Sequence, residues 1–300
     1  MMRWKQTALT AGALAMISGC AVGPRYHAPA PPSVATYTAV PLAAKISPTP
    51  SAAAVQTLEY GAAVNPLWWR DFGSPALDRL VAGALAHNPG LDAAEATRKE
   101  ARFDMKASQG IFYPQVSLGL SAERLQQSAA GNGGVFTPPL FNLYTGEVSV
   151  SYDPDVFGLS RLVSRNARAQ VDVAADQLQA ARVTLAGNVV NVALNLAALD
   201  GEVAAEQSDI RDQAQLLELT RKRYTLGADS QLSVLTQAIE LNSNRAALAT
   251  LEQARDQARH LLAVYLGKFP AETRTLQPPR LAALRLPGRP PVSLPSALVR

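Results

Sequence analysis

From Leu159 to Leu226 the sequence contains no proline, and its only interior glycines are Gly187 and Gly201. Nothing there interrupts a helix, and at about 1.5 Å per residue an unbroken one would run roughly 100 Å, more than a compact domain holds. Its apolar residues return at sevenfold spacing: Val171, Leu178, Leu185, Val192 and Leu199, and in a second register Val189, Leu196, Val203, Ile210, Leu217 and Tyr224. That spacing keeps one seam turned toward a partner helix, which is coiled-coil packing. Ala174, Ala175, Ala181, Ala197 and Ala198 would let neighbouring backbones approach closely. Taken alone, the periodicity favours a soluble dimeric coiled coil. The composition agrees with long packed helices: 48% of residues are apolar but only 6% aromatic, unlike an enzyme core built around Phe, Trp and Tyr.

Leu226-Gly227-Ala228-Asp229-Ser230 closes the long helix (159–226) and opens another. Gly227 suits the left-handed position after a helix, and Asp229 or Ser230 can cap the next one. The spacing predicts a return helix over 231–266, ending at Gly267. Upstream, Ser74-Pro75 with Asp78 starts a short helix that reaches about His87. Asn88-Pro89-Gly90 breaks it, and a second helix is expected from Leu91 to Gln109, stopped by Gly110. Together the second and return helices approach the length of the long one, so the two could stack end to end along it.

Between the second helix and the long one the period changes to two. Val116, Leu118, Leu120 and Ala122 alternate with Ser117, Gly119, Ser121 and Glu123; later Val148, Val150 and Tyr152 alternate with Glu147, Ser149 and Ser151. Gly131-Asn132-Gly133-Gly134 between them is a flexible loop composition, so a β-hairpin is expected over 112–154. Strands of about ten residues suffice for a tilted crossing of a roughly 25 Å apolar band. A soluble hairpin lying on a core shares the same alternation. In lipid two strands cannot close a barrel, and open edges are not tolerated. A membrane hairpin therefore needs further strands, from sequence missing here, from other subunits, or from both.

The N-terminus has a secretory pattern. Arg3 and Lys5 precede an apolar run from Ala8 to Ile17, too short to span a bilayer permanently, and then Ser18-Gly19-Cys20. A cysteine directly after small residues resembles a bacterial lipobox. Residues 1–19 then form a signal peptide and Cys20 carries a lipid, against a free thiol in a plain signal or a short membrane anchor. Ala21 rather than Asp after it favours the outer membrane by the same resemblance. Cys20 is the only cysteine, which excludes disulfides within the chain and Cys-based zinc sites. Residues 20–73 are expected as an extended Pro/Ala-rich segment, a tether or a wrap along the surface, and residues 277–300, with six prolines from Pro278 to Pro295, as a second linker. The core of the protein then lies in 74–276.

Charge gives no support to a nucleic-acid partner. Of the formal +4, Arg3 and Lys5 hold two charges, and Arg274, Arg280, Arg285, Arg289 and Arg300 hold five beyond the last acid, Glu272. The residues between are net negative, so the isoelectric point near 9.3 belongs to the two ends. Catalytic groups do not converge either. His27, His87 and His260 are far apart and not in a ligand spacing, and neither a Walker-type loop nor a Gly-x-Ser-x-Gly elbow is present. Asp153 and Asp155 could hold a divalent cation, but Asp-Pro-Asp between a strand and a helix reads first as a turn. No cofactor, metal site or enzyme activity is expected.

In this order the segments resemble the outer-membrane factor family, the TolC-like channels of tripartite efflux and type I secretion, and within it the NodT-like lipoprotein branch. The resemblance rests on Cys20-Ala21-Val22-Gly23-Pro24 with Tyr26, and on Trp68-Trp69 and Phe72 ahead of Leu77, Leu80, Ala84, Leu85 and Asn88. It rests also on Tyr152 to Gly158, on Tyr224-Thr225-Leu226-Gly227 with Ser230, and on Leu262, Leu266 and Gly267. It implies a mainly α chain with a transmembrane β-hairpin, whose long antiparallel coiled-coil helices form an α-barrel. It further implies one of the two repeats that each full chain gives to a homotrimer, whose twelve strands close an outer-membrane barrel, anchored in lipid through Cys20. The implied function is a passive export conduit for small molecules, joined to a periplasmic adaptor and an inner-membrane pump. The adaptor would meet Gly227, Ala228, Asp229 and Ser230. Pro154 stands where the family commonly has an aliphatic residue, and the family's gate lies largely on the second repeat, so no gate residue carries over. A truncated chain is therefore expected. A periplasmic adaptor or coiled-coil scaffold without a pore is the alternative.

Overall fold

The computed structural model describes residues 45–46, 55–62, 64–126, 130 and 140–292. Among them the elements are β1 (Lys45–Ile46), β2 (Gln56–Thr57), β3 (Glu59–Tyr60), α1 (Pro75–His87), α2 (Pro89–Ser108), β4 (Gln115–Leu125), β5 (Phe141–Ser151), α3 (Leu159–Thr225), α4 (Gln231–Tyr265) and β6 (Pro291–Val292). Two compact units are formed. One holds the described residues from Ala96 to Asp176, including the β4–β5 hairpin. The other holds those from Lys45 to Glu95 and from Gln177 to Val292.

In the second unit the core gathers on α3. Leu178, Leu185, Val189, Val190, Ala193 and Leu196 of α3 join Leu77, Leu80, Val81 and Ala84 of α1, Leu91 of α2, and Ala258 and Leu262 of α4. The two sevenfold registers take turns. Leu178 and Leu185 of the first are buried; Val189, Leu196, Val203 and Leu217 of the second carry the seam onward, while Val192 and Leu199 are only partly covered. A helix of 3.6 residues per turn drifts against a sevenfold repeat, so one register cannot face the same neighbour along the whole length. The shorter helices flank α3 as expected. Glu95 of α2 meets Arg182 at 3.0 Å, and Arg259 of α4 meets Asp200 at 3.6 Å.

The end-to-end stacking of α2 and α4 depends on Asn88. Its backbone N–H closes α1 on the Ala84 carbonyl at 3.0 Å, and its Oδ1 accepts from the N–H groups of Gly90 and Leu91 at 2.9 and 3.3 Å. Its Nδ2 donates to the carbonyl of Tyr265, the last residue of α4, at 2.9 Å. Because Asn88 caps it, α2 starts at Pro89 rather than Leu91, with the ring at the first helical position where no N–H is needed. It ends at Ser108 and tightens into a 3-10 turn over Gln109–Phe112. Asn88→Ala removes a cap worth about 1 kcal/mol and a hydrogen bond worth about as much. The expected result is a loss of roughly 2 kcal/mol, read from denaturant unfolding of the purified chain.

The proline-rich ends are tied down more than their composition implies. In the segment expected as tether, Trp68–Phe72 form a 3-10 helix with Trp69 in the core, and the Trp68 ring packs edge-on against Trp69 and Phe72 at 6.2 and 6.4 Å. In the segment expected as linker, β6 pairs in parallel with β3. The N–H groups of Thr57, Glu59 and Gly61 donate to the carbonyls of Gly288, Pro290 and Val292 at 2.9, 3.1 and 2.9 Å. Proline lacks a donor but keeps its acceptor, so a proline-rich stretch can still be held by a neighbour that supplies the N–H groups.

Candidate functional site

Three features in the described residues carry candidate function: the β4–β5 hairpin, the turn between α3 and α4, and the entry into α3. Cys20, the expected lipid site, lies outside the described residues, as does the Gly131–Gly134 loop.

The hairpin is antiparallel with Val116 opposite Val150, Leu118 opposite Val148, Leu120 opposite Gly146 and Ala122 opposite Tyr144. Directly paired residues share a face, so these form one apolar surface. The other face carries Ser117 with Ser149, Gly119 with Glu147, and Ser121 with Thr145. The two serine hydroxyls lie 2.7 Å apart. The strands occupy 115–125 and 141–151 of the expected 112–154, and Tyr152 falls just past the end of β5, before Pro154. The apolar face has no cover among the described residues: Leu118 and Val148 are each 69% exposed and Leu120 78%. A contiguous uncovered apolar face of this kind marks a surface that meets lipid or another protein.

The α3–α4 turn brings Gly227, Ala228, Asp229 and Ser230 together. Ala228 N–H donates to the Arg223 carbonyl at 2.8 Å and Gly227 N–H to the Tyr224 carbonyl at 2.9 Å. That is a Schellman closure, with Gly227 at φ 76°. Ser230 is the cap of α4, its hydroxyl accepting from Ser233 N–H at 3.1 Å. Asp229 accepts from Ser230 N–H at 2.9 Å and stands 3.7 Å from Arg223 Nε. The Ser233 hydroxyl, the Ser230 N–H and the Arg223 guanidinium, against the opposing effect of burial, hold the Asp229 carboxyl below the usual carboxylate range. Leu226 and Leu232 flank the turn at 83% and 73% exposure, two apolar residues that turn chemistry alone does not single out.

At the entry into α3, the Asp-Pro-Asp segment is a cap. Asp155 Oδ1 accepts from Ser160 N–H and its Oδ2 from Arg161 N–H, both at 3.1 Å, and Arg161 Nε lies 3.2 Å from the same carboxylate. Arg161 Nη2 also donates to the Asp155 carbonyl at 3.0 Å. Burial pushes this carboxyl up, but the two backbone donors and the guanidinium outweigh it, and the net direction is down. A lowered native value means stability that is complete above the unfolded value and is lost as pH falls through the native one, below about pH 4. Asp155→Ala, which removes both acceptors, should therefore show faster amide exchange at Ser160 and Arg161 than the parent at pH 6. The gap should narrow as the pH is taken well below the usual carboxylate range and the parent carboxyl takes up its proton. Equal exchange at both pH values would exclude the cap.

Among the described residues no three His, Cys, Asp or Glu side chains gather as metal ligands. His87 Nδ1 lies 3.0 Å from the Gly83 carbonyl of its own helix, and His260 is exposed on α4.

The sequence profile of outer membrane efflux proteins matches residues 80–268. The chain is 29% identical over 240 residues to fusaric acid resistance protein FusA of Burkholderia cepacia, covering 77% of this chain and 44% of that one. It is 24% identical over 255 residues to nodulation protein T of Rhizobium leguminosarum bv. trifolii, covering 84% and 50%. Its structure superposes on the outer-membrane channel OprN with a TM-score of 0.71 and 27% identity, over 94% of this chain and 59% of that one. The fold is thus that of the TolC-like channels, and the chain spans about half the length of the curated relatives it matches.

Proposed function

The chain belongs to the outer membrane efflux protein family, and from that premise we propose that it supplies part of a protomer of an outer-membrane channel. The channel is a passive conduit for small molecules in a tripartite efflux system, with a periplasmic adaptor and an inner-membrane pump. Channels of this kind conduct rather than catalyse. The observation that carries the reading is the hairpin: strands long enough to cross a bilayer, with one exposed apolar face and one mainly small, polar face. A coiled-coil scaffold or adaptor without a pore does not call for a strand pair of bilayer length.

Three further parts of the reading are proposals of their own. Cys20 is acylated and anchors the mature chain in the outer membrane, supported by Ser18-Gly19-Cys20-Ala21. The channel is a homotrimer, supported by the family membership. The adaptor docks on Gly227, Ala228, Asp229 and Ser230, supported by the exposed turn and the apolar Leu226 and Leu232 beside it.

Cysteine scanning of β4 tests the central claim. Cysteines at positions 116, 118 and 120 of the vesicle-inserted chain should react with a lipid-soluble maleimide and resist a water-soluble one. Cysteines at 117, 119 and 121 should do the reverse. Reactivity that fails to alternate would refute the membrane hairpin.

A further inference from the structure

The last turns of α2 carry Lys99, Arg102 and Lys106, which at 100° per residue share a stripe about 60° wide. Glu100 and Asp104, the carboxylates of the same turns, stand at least about 100° around the helix from the nearest member. All three cations are exposed, and none makes an ion pair among the described residues. Phe103 beside them is 64% exposed, with Lys106 Nζ 5.4 Å from its ring centroid. These four side chains and Met105 line one concavity.

Their place along the chain identifies an occupant. Going back from β4, the outward apolar face of Val116, Leu118 and Leu120 is followed by exposed Tyr113 and Ile111, and then by Lys106, Arg102 and Lys99. The other leg repeats the order, with exposed Tyr152 and Phe157 after β5 and then exposed Arg165 and Arg168 on α3. Hydrocarbon, aromatic interface and cation is the order of groups from the middle of a leaflet to its phosphates. A guanidinium and two ammonium groups without carboxylate partners match a phosphodiester, and an exposed phenyl ring beside them matches the glycerol and upper acyl chain.

We propose that Lys99, Arg102 and Lys106, with Phe103, form a docking surface for the phosphate headgroup of an anionic glycerophospholipid in the leaflet at the helical end of the hairpin. The proposal rests on the membrane reading of that hairpin. The single negative charge of the phosphodiester offsets part of the charge of the three cations, and the contact fixes how deep the hairpin sits.

The test uses the purified chain reconstituted in phosphatidylcholine vesicles with and without phosphatidylglycerol. Insertion is read by protection of the hairpin from added protease, and lipid selection by mass spectrometry of the lipids that stay with the chain on extraction into mild detergent. The expected result is enrichment of phosphatidylglycerol over its share of the vesicle. In K99Q/R102Q/K106Q that enrichment falls by about fivefold or more, while insertion persists. The same charge removal at Arg211, Arg221 and Lys222, on the far part of α3, leaves it unchanged. Insertion without enrichment, or equal enrichment in K99Q/R102Q/K106Q and the parent, overturns the lipid site alone. Displacement of the lipid by soluble glycerol phosphate also overturns it, because the surface is then a general anion site. No insertion into either vesicle overturns the site, because it requires this chain's own hairpin to enter a bilayer.

Discussion

Gly267→Ala should lower stability by about 3 kcal/mol, from an unfavourable backbone conformation together with a steric overlap. For a chain of this size that is a fall of roughly 6–10 °C in the melting midpoint. Gly267 sits at φ 66° in a Schellman closure of α4, with Lys268 N–H on the Ala263 carbonyl at 2.9 Å and its own N–H on the Val264 carbonyl at 3.0 Å. A Cβ at this position would land on the carbonyl oxygen of His87, with the Pro89 ring close behind. That carbonyl belongs to the end of α1 and cannot swing away, because the next residue, Asn88, is held by α1, α2 and α4 together. Gly227→Ala supplies the contrast. Its φ of 76° and its closure are alike, but a Cβ there meets nothing within 4 Å, so only the backbone term of about 1 kcal/mol remains. Melting curves of the two variants isolate the cost of the close approach, and equal midpoints would contradict the packing of α4 against the α1–α2 junction.

Leu118→Arg should oppose stable membrane insertion by about 1–3 kcal/mol, the cost of a cation between the bilayer midplane and the interface on a lipid-facing strand position. Leu118 is the second of three outward aliphatics on β4 and pairs across to Val148. Ser117→Arg, one residue away on the opposite face, should leave insertion close to that of the parent. A soluble hairpin would behave differently, because a side chain already 69% exposed can become arginine at little cost in water. Flotation with vesicles after reconstitution distinguishes the two cases. Equal flotation of both variants would remove the lipid-facing assignment of this surface.

Features that depend on local spacing were legible in the sequence. The long helix begins at Leu159 as expected, because the signal that starts it is local: Asp155 reaches the N–H groups of residues five and six positions on. The hairpin register follows from alternation, and the α3–α4 turn from a glycine ahead of an Asp-Ser cap. Asn88 was legible only as a break between two helices. Its contact with the Tyr265 carbonyl spans 177 residues, and no local pattern announces an interaction of that range. The pairing of the proline-rich segments was not legible for a related reason. Composition reports what a stretch cannot form with itself, whereas residues 57–61 and 288–292 hold each other through donors on one side and acceptors on the other. The candidate site divides the same way. The four turn residues could be named in advance, but the exposure of Leu226 and Leu232 and the stripe of Lys99, Arg102 and Lys106, unpaired among the described residues, depend on which neighbours are present.

The sequence by itself determined the elements and their order. A helix of 3.6 residues per turn and a strand with period two each write their exposed and buried faces into consecutive residues. Only the tertiary structure decided which sevenfold register is covered at each level of α3. It also decided why Gly267 must be glycine and where α2 meets α4. Those depend on atoms far apart in the chain that share one place in space, where a methyl group and a carbonyl oxygen cannot both fit.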